Sequence, residues 1–169
     1  LLVLVESAAA CPSACRCIPR RHSSSPHRSA SAVLCVGLNL TSIPRNIPDD
    51  TEELYLKANH IRVLSQDSFR NLHSLKTLVI NDCHVRVIEP NTFAGLSHLV
   101  SLDLKWNKLT ELQTYTFSGL DHLRRLILES NQLEVIHNFA FHGLNLTKLT
   151  LEKNTRLFAI ALKAFQGAH

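Results

Sequence analysis

Apolar residues recur along this chain with a period of 24, and five phenylalanines mark the beat: Phe69, Phe93, Phe117, Phe141 and Phe165. A second pattern, L-x-L-x-x-N, runs in step with them. It reads Leu54-Leu56-Asn59, Leu78-Ile80-Cys83, Leu102-Leu104-Asn107, Leu126-Leu128-Asn131 and Leu149-Leu151-Asn154. After the asparagine position come Ile61, Val85, Leu109, Leu133 and Leu157, then Leu64, Ile88, Leu112, Ile136 and Ile160. Apolar residues two apart with polar ones between them predict a short strand whose alternate side chains face a core. Each repeat would offer the next a strand and an apolar edge, so the chain is expected to stack into a curved solenoid.

The pattern is the leucine-rich-repeat signature. The fold class it predicts is an α/β solenoid: a curved horseshoe with a parallel concave β-sheet, an N-terminal disulfide cap and a convex side of irregular turns and short 3₁₀ pieces. Residues 1–10 carry an apolar run and small residues that suit the tail of a signal peptide or an N-terminal extension. Residues 11–50 suit a cysteine-rich cap, and residues 51–169 hold five repeats without a cysteine-bearing cap at the C-terminal end. The beat slips once. Asn131 to Asn154 is 23 residues, while Leu133 to Leu157 is again 24. An uncapped terminal strand predicts either that the natural protein continues past His169 or that another chain, a second copy among the candidates, covers that end.

Composition narrows the setting. Formal net charge is +4, and residues 1–35, with four arginines against Glu6, supply +3 of it. The repeats are nearly neutral, which argues against nucleic acid as a partner. The segment from Arg20 to Ser31 is basic and serine-rich and predicts a polar hairpin tip. Four of the five cysteines, Cys11, Cys15, Cys17 and Cys35, fall within 25 residues. That density predicts disulfides formed in an oxidising compartment, with three connectivities open. No apolar run approaches the ~20 residues needed to cross a bilayer. The sequons Asn39-Leu-Thr41 and Asn145-Leu-Thr147 are candidate glycosylation sites in a secreted or cell-surface protein.

The cap motif Cys11-Pro-Ser-Ala-Cys15-Arg-Cys17, a fourth Cys at 35, and Leu40-Thr-Ser-Ile-Pro44-Arg-Asn-Ile-Pro48 resembles that of extracellular leucine-rich-repeat proteins. Thr51-Glu-Glu-Leu-Tyr-Leu-Lys-Ala-Asn59 resembles the first repeat of the variable lymphocyte receptors of jawless vertebrates. Toll-like receptors, Slit-type guidance proteins and small proteoglycans share the same grammar. The resemblance spans residues 11–169 and implies bonds Cys11–Cys17 and Cys15–Cys35. It also implies that Asn59, Asn107, Asn131 and Asn154 point inward as a structural ladder, with Cys83 in the same column. Two departures stand out: the Cys17–Cys35 loop is longer than that family's short hairpin, and its C-terminal cap is missing.

Catalytic motifs are absent: there is no G-x-S-x-G, H-E-x-x-H or phosphate loop, so an enzyme is not expected, nor a cofactor. Ten histidines raise the question of a metal. His60 with His84, and His98 with His122, share repeat positions and should stack ~5 Å apart, but two ligands fall short of the usual three or four. Cys83 is expected to be a buried, unreactive thiol. The concave columns gather Tyr55, Asp82, Asp103, Lys105, Trp106 and Glu129. Trp106, the sole tryptophan, is the natural anchor of an acidic, aromatic-centred patch suited to a cationic or sugar-bearing ligand. The expected partner is a microbial cell-surface component or a protein ligand. The resemblance favours an immune role. An adhesion, guidance or growth-factor-binding ectodomain is the alternative, followed by a structural matrix protein.

Overall fold

The computed structural model describes residues 11–19 and 30–169. The leader-like residues 1–10 and most of the basic loop lie outside the described residues. In chain order the strands are β1 (Arg16–Pro19), β2 (Ala30–Leu34), β3 (Glu53–Tyr55), β4 (Val63–Leu64), β5 (Thr77–Val79), β6 (Val87–Ile88), β7 (Ser101–Asp103), β8 (Glu111–Leu112), β9 (Arg125–Ile127), β10 (Val135–Ile136), β11 (Lys148–Thr150) and β12 (Ala159–Ile160).

One seven-stranded sheet, ordered β1-β2-β3-β5-β7-β9-β11, forms the concave face. β1 and β2 are an antiparallel hairpin, and every later pairing is parallel. Ser31, expected in the loop, already belongs to β2 and donates to Ile18 O at 3.2 Å. The leucines are in register, Leu54 with Leu78, Leu102 and Leu126 in turn. The 23-residue slip is absorbed before β11, where Leu149 still pairs Leu126. The extra residue after Asn154 then restores the pairing of Val135 with Ala159.

Two-residue parallel strands run along the other side of the coil, β4 with β6 and β8 with β10 and β12. Strands, turns and bends make up the described residues, with neither an α- nor a 3₁₀-helix. Where short 3₁₀ pieces were expected, successive single turns close instead, such as Leu72 N to Phe69 O at 3.0 Å and Leu75 N to Leu72 O at 3.1 Å.

The core is a spine between neighbouring coils. Phe69, Phe93, Phe117 and Phe141 are fully buried and stack with centroids 6.0–6.1 Å apart. Phe165 continues the stack at 4.7 Å but is 45% exposed. At the N-terminal end, Cys11–Cys17 and Cys15–Cys35 are bonded. The second closes a 20-residue separation, which by chain entropy is worth about 3 kcal/mol. It ties the hairpin to the first coil, where Cys35 N donates to Tyr55 O at 2.8 Å.

Each coil must leave the sheet through a sharp turn whose amides cannot reach water, and buried backbone groups of this kind need partners. The asparagine column supplies them. Asn107 Oδ1 accepts the Cys83 and Val85 amides at 3.1 and 3.0 Å, and its Nδ2 donates to Ile80 O at 2.6 Å and Leu104 O at 2.9 Å. Asn59 does the same for Leu38 and Leu40 of the cap, Asn131 serves Leu109, and Asn154 serves Leu133. Cys83 is fully buried, and its thiol donates to Leu56 O and Asn81 O. Burial pushes that thiol up to about 11, against a smaller pull down from the Asn59 amide. Such a group is an inert donor and not a nucleophile.

Candidate recognition face

The residue before each position of the ladder, Cys83 included, sits in the left-handed region: Ala58, Asp82, Trp106, Ser130 and Lys153 have φ between 52° and 58°. The fold dictates this conformation, since the chain must bend there to turn the asparagine inward. For a side chain other than glycine it costs roughly 1–2 kcal/mol, least for Asp and Asn. Trp106 is therefore placed against backbone preference, and it remains 54% exposed at the centre of the concave rim. A large apolar ring left exposed at a strained position makes Trp106 the candidate anchor of this face.

Around Trp106 the register brings several of the expected residues together. Asp82 and Trp106 are neighbours in the same column, and the Trp106 amide donates to Glu129 O at 3.1 Å. Lys105 Nζ lies 4.6 Å from the Trp106 ring centroid. Asp103 is half-buried, with one carboxylate oxygen accepting the Lys105 amide at 3.1 Å and the other accepting Asn81 Nδ2 at 3.2 Å. Glu129 forms a 2.8 Å ion pair with Lys153. The hydrogen bond from Lys153 lowers its pKa, aided by the charges of Lys153, Lys105 and Lys148. Tyr55 stands apart, since Val79 separates it from Asp103 across β5. Its hydroxyl donates to Glu53 at 2.7 Å and its ring carries Lys57 Nζ at 5.6 Å. That hydrogen bond to a carboxylate, together with burial and the charge of Glu53, raises the tyrosine pKa.

The expected acidic character does not survive in this arrangement. The concave columns hold five acids (Glu53, Asp82, Asp103, Glu129, Glu152) and five bases (Lys57, Lys105, Arg125, Lys148, Lys153). Asp103 and Glu129 are engaged by neighbours. The face is thus a balanced lattice around an aromatic ring, with a cation of its own already on that ring.

Sequence reasoning overlooked Asn81. It is only 5% exposed, and its Oδ1 is a buried acceptor without a partner among the described residues. Its place between Lys57 and Lys105 in an otherwise charged column was the available signal. Also overlooked was a convex cluster. Tyr115 and Phe139 stack at 5.7 Å, with His142 edge-on to both at 5.4 and 6.0 Å. Both rings occupy left-handed positions, where Asp67 and Asn91 stand in the earlier repeats. The histidine pairs do stack, His60–His84 at 5.1 Å and His98–His122 at 6.2 Å. The sequon asparagines Asn39 and Asn145 are both exposed. No helix among the described residues is long and apolar enough to cross a membrane.

A model of the leucine-rich repeat matches residues 50–109 and 97–157. The chain belongs to the leucine-rich-repeat family. It is 37% identical over 78 residues to leucine-rich repeat-containing protein 3 of Bos taurus, covering 46% of this chain and 28% of that protein. It is 35% identical over 68 residues to leucine-rich repeat-containing protein 4 of Rattus norvegicus, covering 40% and 9%. Among solved structures, a complex of the Toll-like receptor TLR13 with single-stranded RNA superposes with a TM-score of 0.64 at 32% identity, over 70% of this chain and 18% of that one. The chain thus matches less than a third of each of these relatives. Its disulfides fit an extracellular domain, and its leucine-rich-repeat fold is one that typically serves as a binding scaffold.

Proposed function

We propose that this leucine-rich-repeat chain is a secreted or cell-surface recognition module that captures microbial surface structures on its concave face. The observation that carries the reading is Trp106, more than half exposed and held at a left-handed φ of 58° in the turn just past β7, on the middle coil. Rigid exposed aromatics are the commonest anchors of recognition, and a preformed sheet loses little freedom on binding. The ring stacks on the flat face of a sugar or an apolar group of the ligand, while Asp82, Asp103, Lys105 and Glu129 provide directional hydrogen bonds around it.

The charge balance shifts the expected ligand away from a strong cation, which would have to displace Lys105 from the ring. It also disfavours RNA, the partner of TLR13 in the complex named above, because a face with as many acids as bases lacks the positive field that phosphate binding needs. The test is capture on bacterial cells and on purified wall polymers. Trp106→Asn suits the local backbone, so the variant should melt no lower than the parent. It should nevertheless lose at least tenfold in binding, with a smaller loss for the Asp103→Ala/Glu129→Ala pair. Unchanged capture by Trp106→Asn would sink the concave site. Capture of host proteins instead of wall polymers would favour an adhesion or guidance ectodomain.

A further inference from the structure

The flank of the solenoid just past the asparagine turns carries a charge pattern unlike that of the concave face. The motif His-x-Arg-Val occurs twice, as His60-Ile-Arg62-Val63 and His84-Val-Arg86-Val87; in the third coil Lys108 takes the histidine position and Thr110 the arginine position. β4 and β6 hold the two copies in register, with Val63 paired to Val87 and the Arg86 amide donating to Arg62 O at 2.8 Å. Arg62 and Arg86 are therefore about one strand spacing apart, ~5 Å. Both are exposed. Beside them the His60 and His84 rings stack at 5.1 Å.

Like charges directly opposite on paired strands destabilise a fold, and neighbouring acids normally offset them. Here they do not. Among the described residues no ion pair or side-chain hydrogen bond involves Arg62, Arg86 or Lys108. The nearest carboxylates by register are turned to other partners or stand at the rim. Glu89 accepts the Gln66 amide at 2.9 Å, Glu111 faces His137 at 3.0 Å, and Asp82 belongs to the concave edge. Next to the strip opens a groove of about 680 Å³ whose lining includes Asn39, Thr41, Ser42, Ser65, His60 and Arg62. Hydroxyls, an amide and a guanidinium thus converge on one concavity, at the end of a row of unpaired cations.

We infer that this flank is a second binding site, for a sulfated oligosaccharide. Guanidinium groups bind sulfate-like oxyanions through two parallel hydrogen bonds, and cations repeated along the solenoid match a ligand whose anions also repeat. The groove, which Val63 also lines and whose surface is more apolar than polar, takes the faces of the sugar rings between sulfates, with hydroxyls of Thr41, Ser42 and Ser65 at its wall. Nucleic acid is the weaker fit, because single strands are held largely by aromatic platforms for their bases. Among the described residues the exposed indole, phenol and phenyl rings lie elsewhere, at Trp106 on the concave rim, Tyr115 on the convex side and Phe158 and Phe165 in the last coil, and only the smaller imidazoles of His60 and His84 stand beside the arginines. Asn39 is a sequon residue and lines the groove, so a glycan there would compete for the same space.

The test uses the full chain produced without N-glycans and a heparin-derived hexasaccharide as the probe, titrated over a range of salt. Arg62→Gln/Arg86→Gln should weaken binding at least tenfold and flatten the slope of log affinity against log salt by about 1–2. Arg125→Gln/Lys148→Gln removes the same charge from the concave face and should change affinity less than threefold. Both pairs should melt near the parent temperature, since all four side chains are exposed. Equal losses in the two pairs would reduce the effect to net charge and overturn the site. So would undiminished binding of a desulfated hexasaccharide, or tighter binding of a single-stranded RNA of similar length.

Discussion

Replacing Asn107 by alanine tests the physical basis of the whole solenoid, because this one side chain closes two turns at once. The mutation removes the Oδ1 that accepts Cys83 N and Val85 N, and the Nδ2 that donates to Ile80 O and Leu104 O. Leu104 O keeps a second donor, Asn131 Nδ2 at 3.0 Å. Three buried groups are then orphaned: two amides and the Ile80 carbonyl. Each orphan costs about 1–3 kcal/mol, and some water will enter the space left by the amide, so the expected loss is about 3–6 kcal/mol. In a domain of this size 1 kcal/mol moves the midpoint by roughly 2–4 °C, which puts the fall in melting temperature on the order of 10 °C. The neighbouring Trp106, sole tryptophan of the chain, reports unfolding of this coil by fluorescence in a urea titration. Cys83→Ala is the comparison. It removes a weak thiol donor to Leu56 O and Asn81 O, and should cost less than half as much. A loss below about 1 kcal/mol for Asn107→Ala, or a larger loss for Cys83→Ala, would refute the ladder as the source of turn stability.

Cys83→Asn would give the ladder back its missing carbonyl acceptor and should raise the urea midpoint by the equivalent of about 1 kcal/mol; a lowered midpoint would show that the site has no room for an amide. The Cys83 thiol, pushed up to about 11 by burial, binds its proton more tightly in the folded chain than in the unfolded one. Stability from this group is therefore intact below the unfolded value near 9 and declines as the pH rises toward 11. Labelling by a thiol reagent at pH 8 should be slow until urea is added. Glu129, held low by Lys153, should titrate below an ordinary glutamate in an NMR pH series and move upward in Lys153→Met. The last coil exposes Phe158 (78%) and Leu162 (99%). Light scattering at rising concentration should show association that Phe158→Glu/Leu162→Glu abolishes, and a parent that stays monomeric would refute that use of the surface.

The sequence alone determined the solenoid and its register, because a 24-residue repeat leaves no other way for these leucines and phenylalanines to leave water together; the inward asparagine column was implied by the family resemblance. Even the slip at Asn154 was legible, as one residue lost and one regained. The concave residues were also legible as columns, since alternation along a strand fixes which face a side chain takes. What the sequence could not decide was their electrostatics. How far Asp103 and Glu129 present free charge depends on the Lys105 backbone amide and the Asn81 side chain for the one, and on where the long side chain of Lys153 comes to rest for the other. The equal count of acids and bases was already in the sequence, and the tertiary structure added which carboxylates are held by neighbours. The strain at Trp106 was hidden for a related reason. A left-handed turn is a property of the backbone, set by the coil having to bend toward its buried asparagine, and the tryptophan itself carries no sign of it. The 24-residue repeat already placed Arg62 beside Arg86, but that neither has an ion-pair partner among the described residues needed the tertiary structure, because it depends on where the neighbouring carboxylates come to rest.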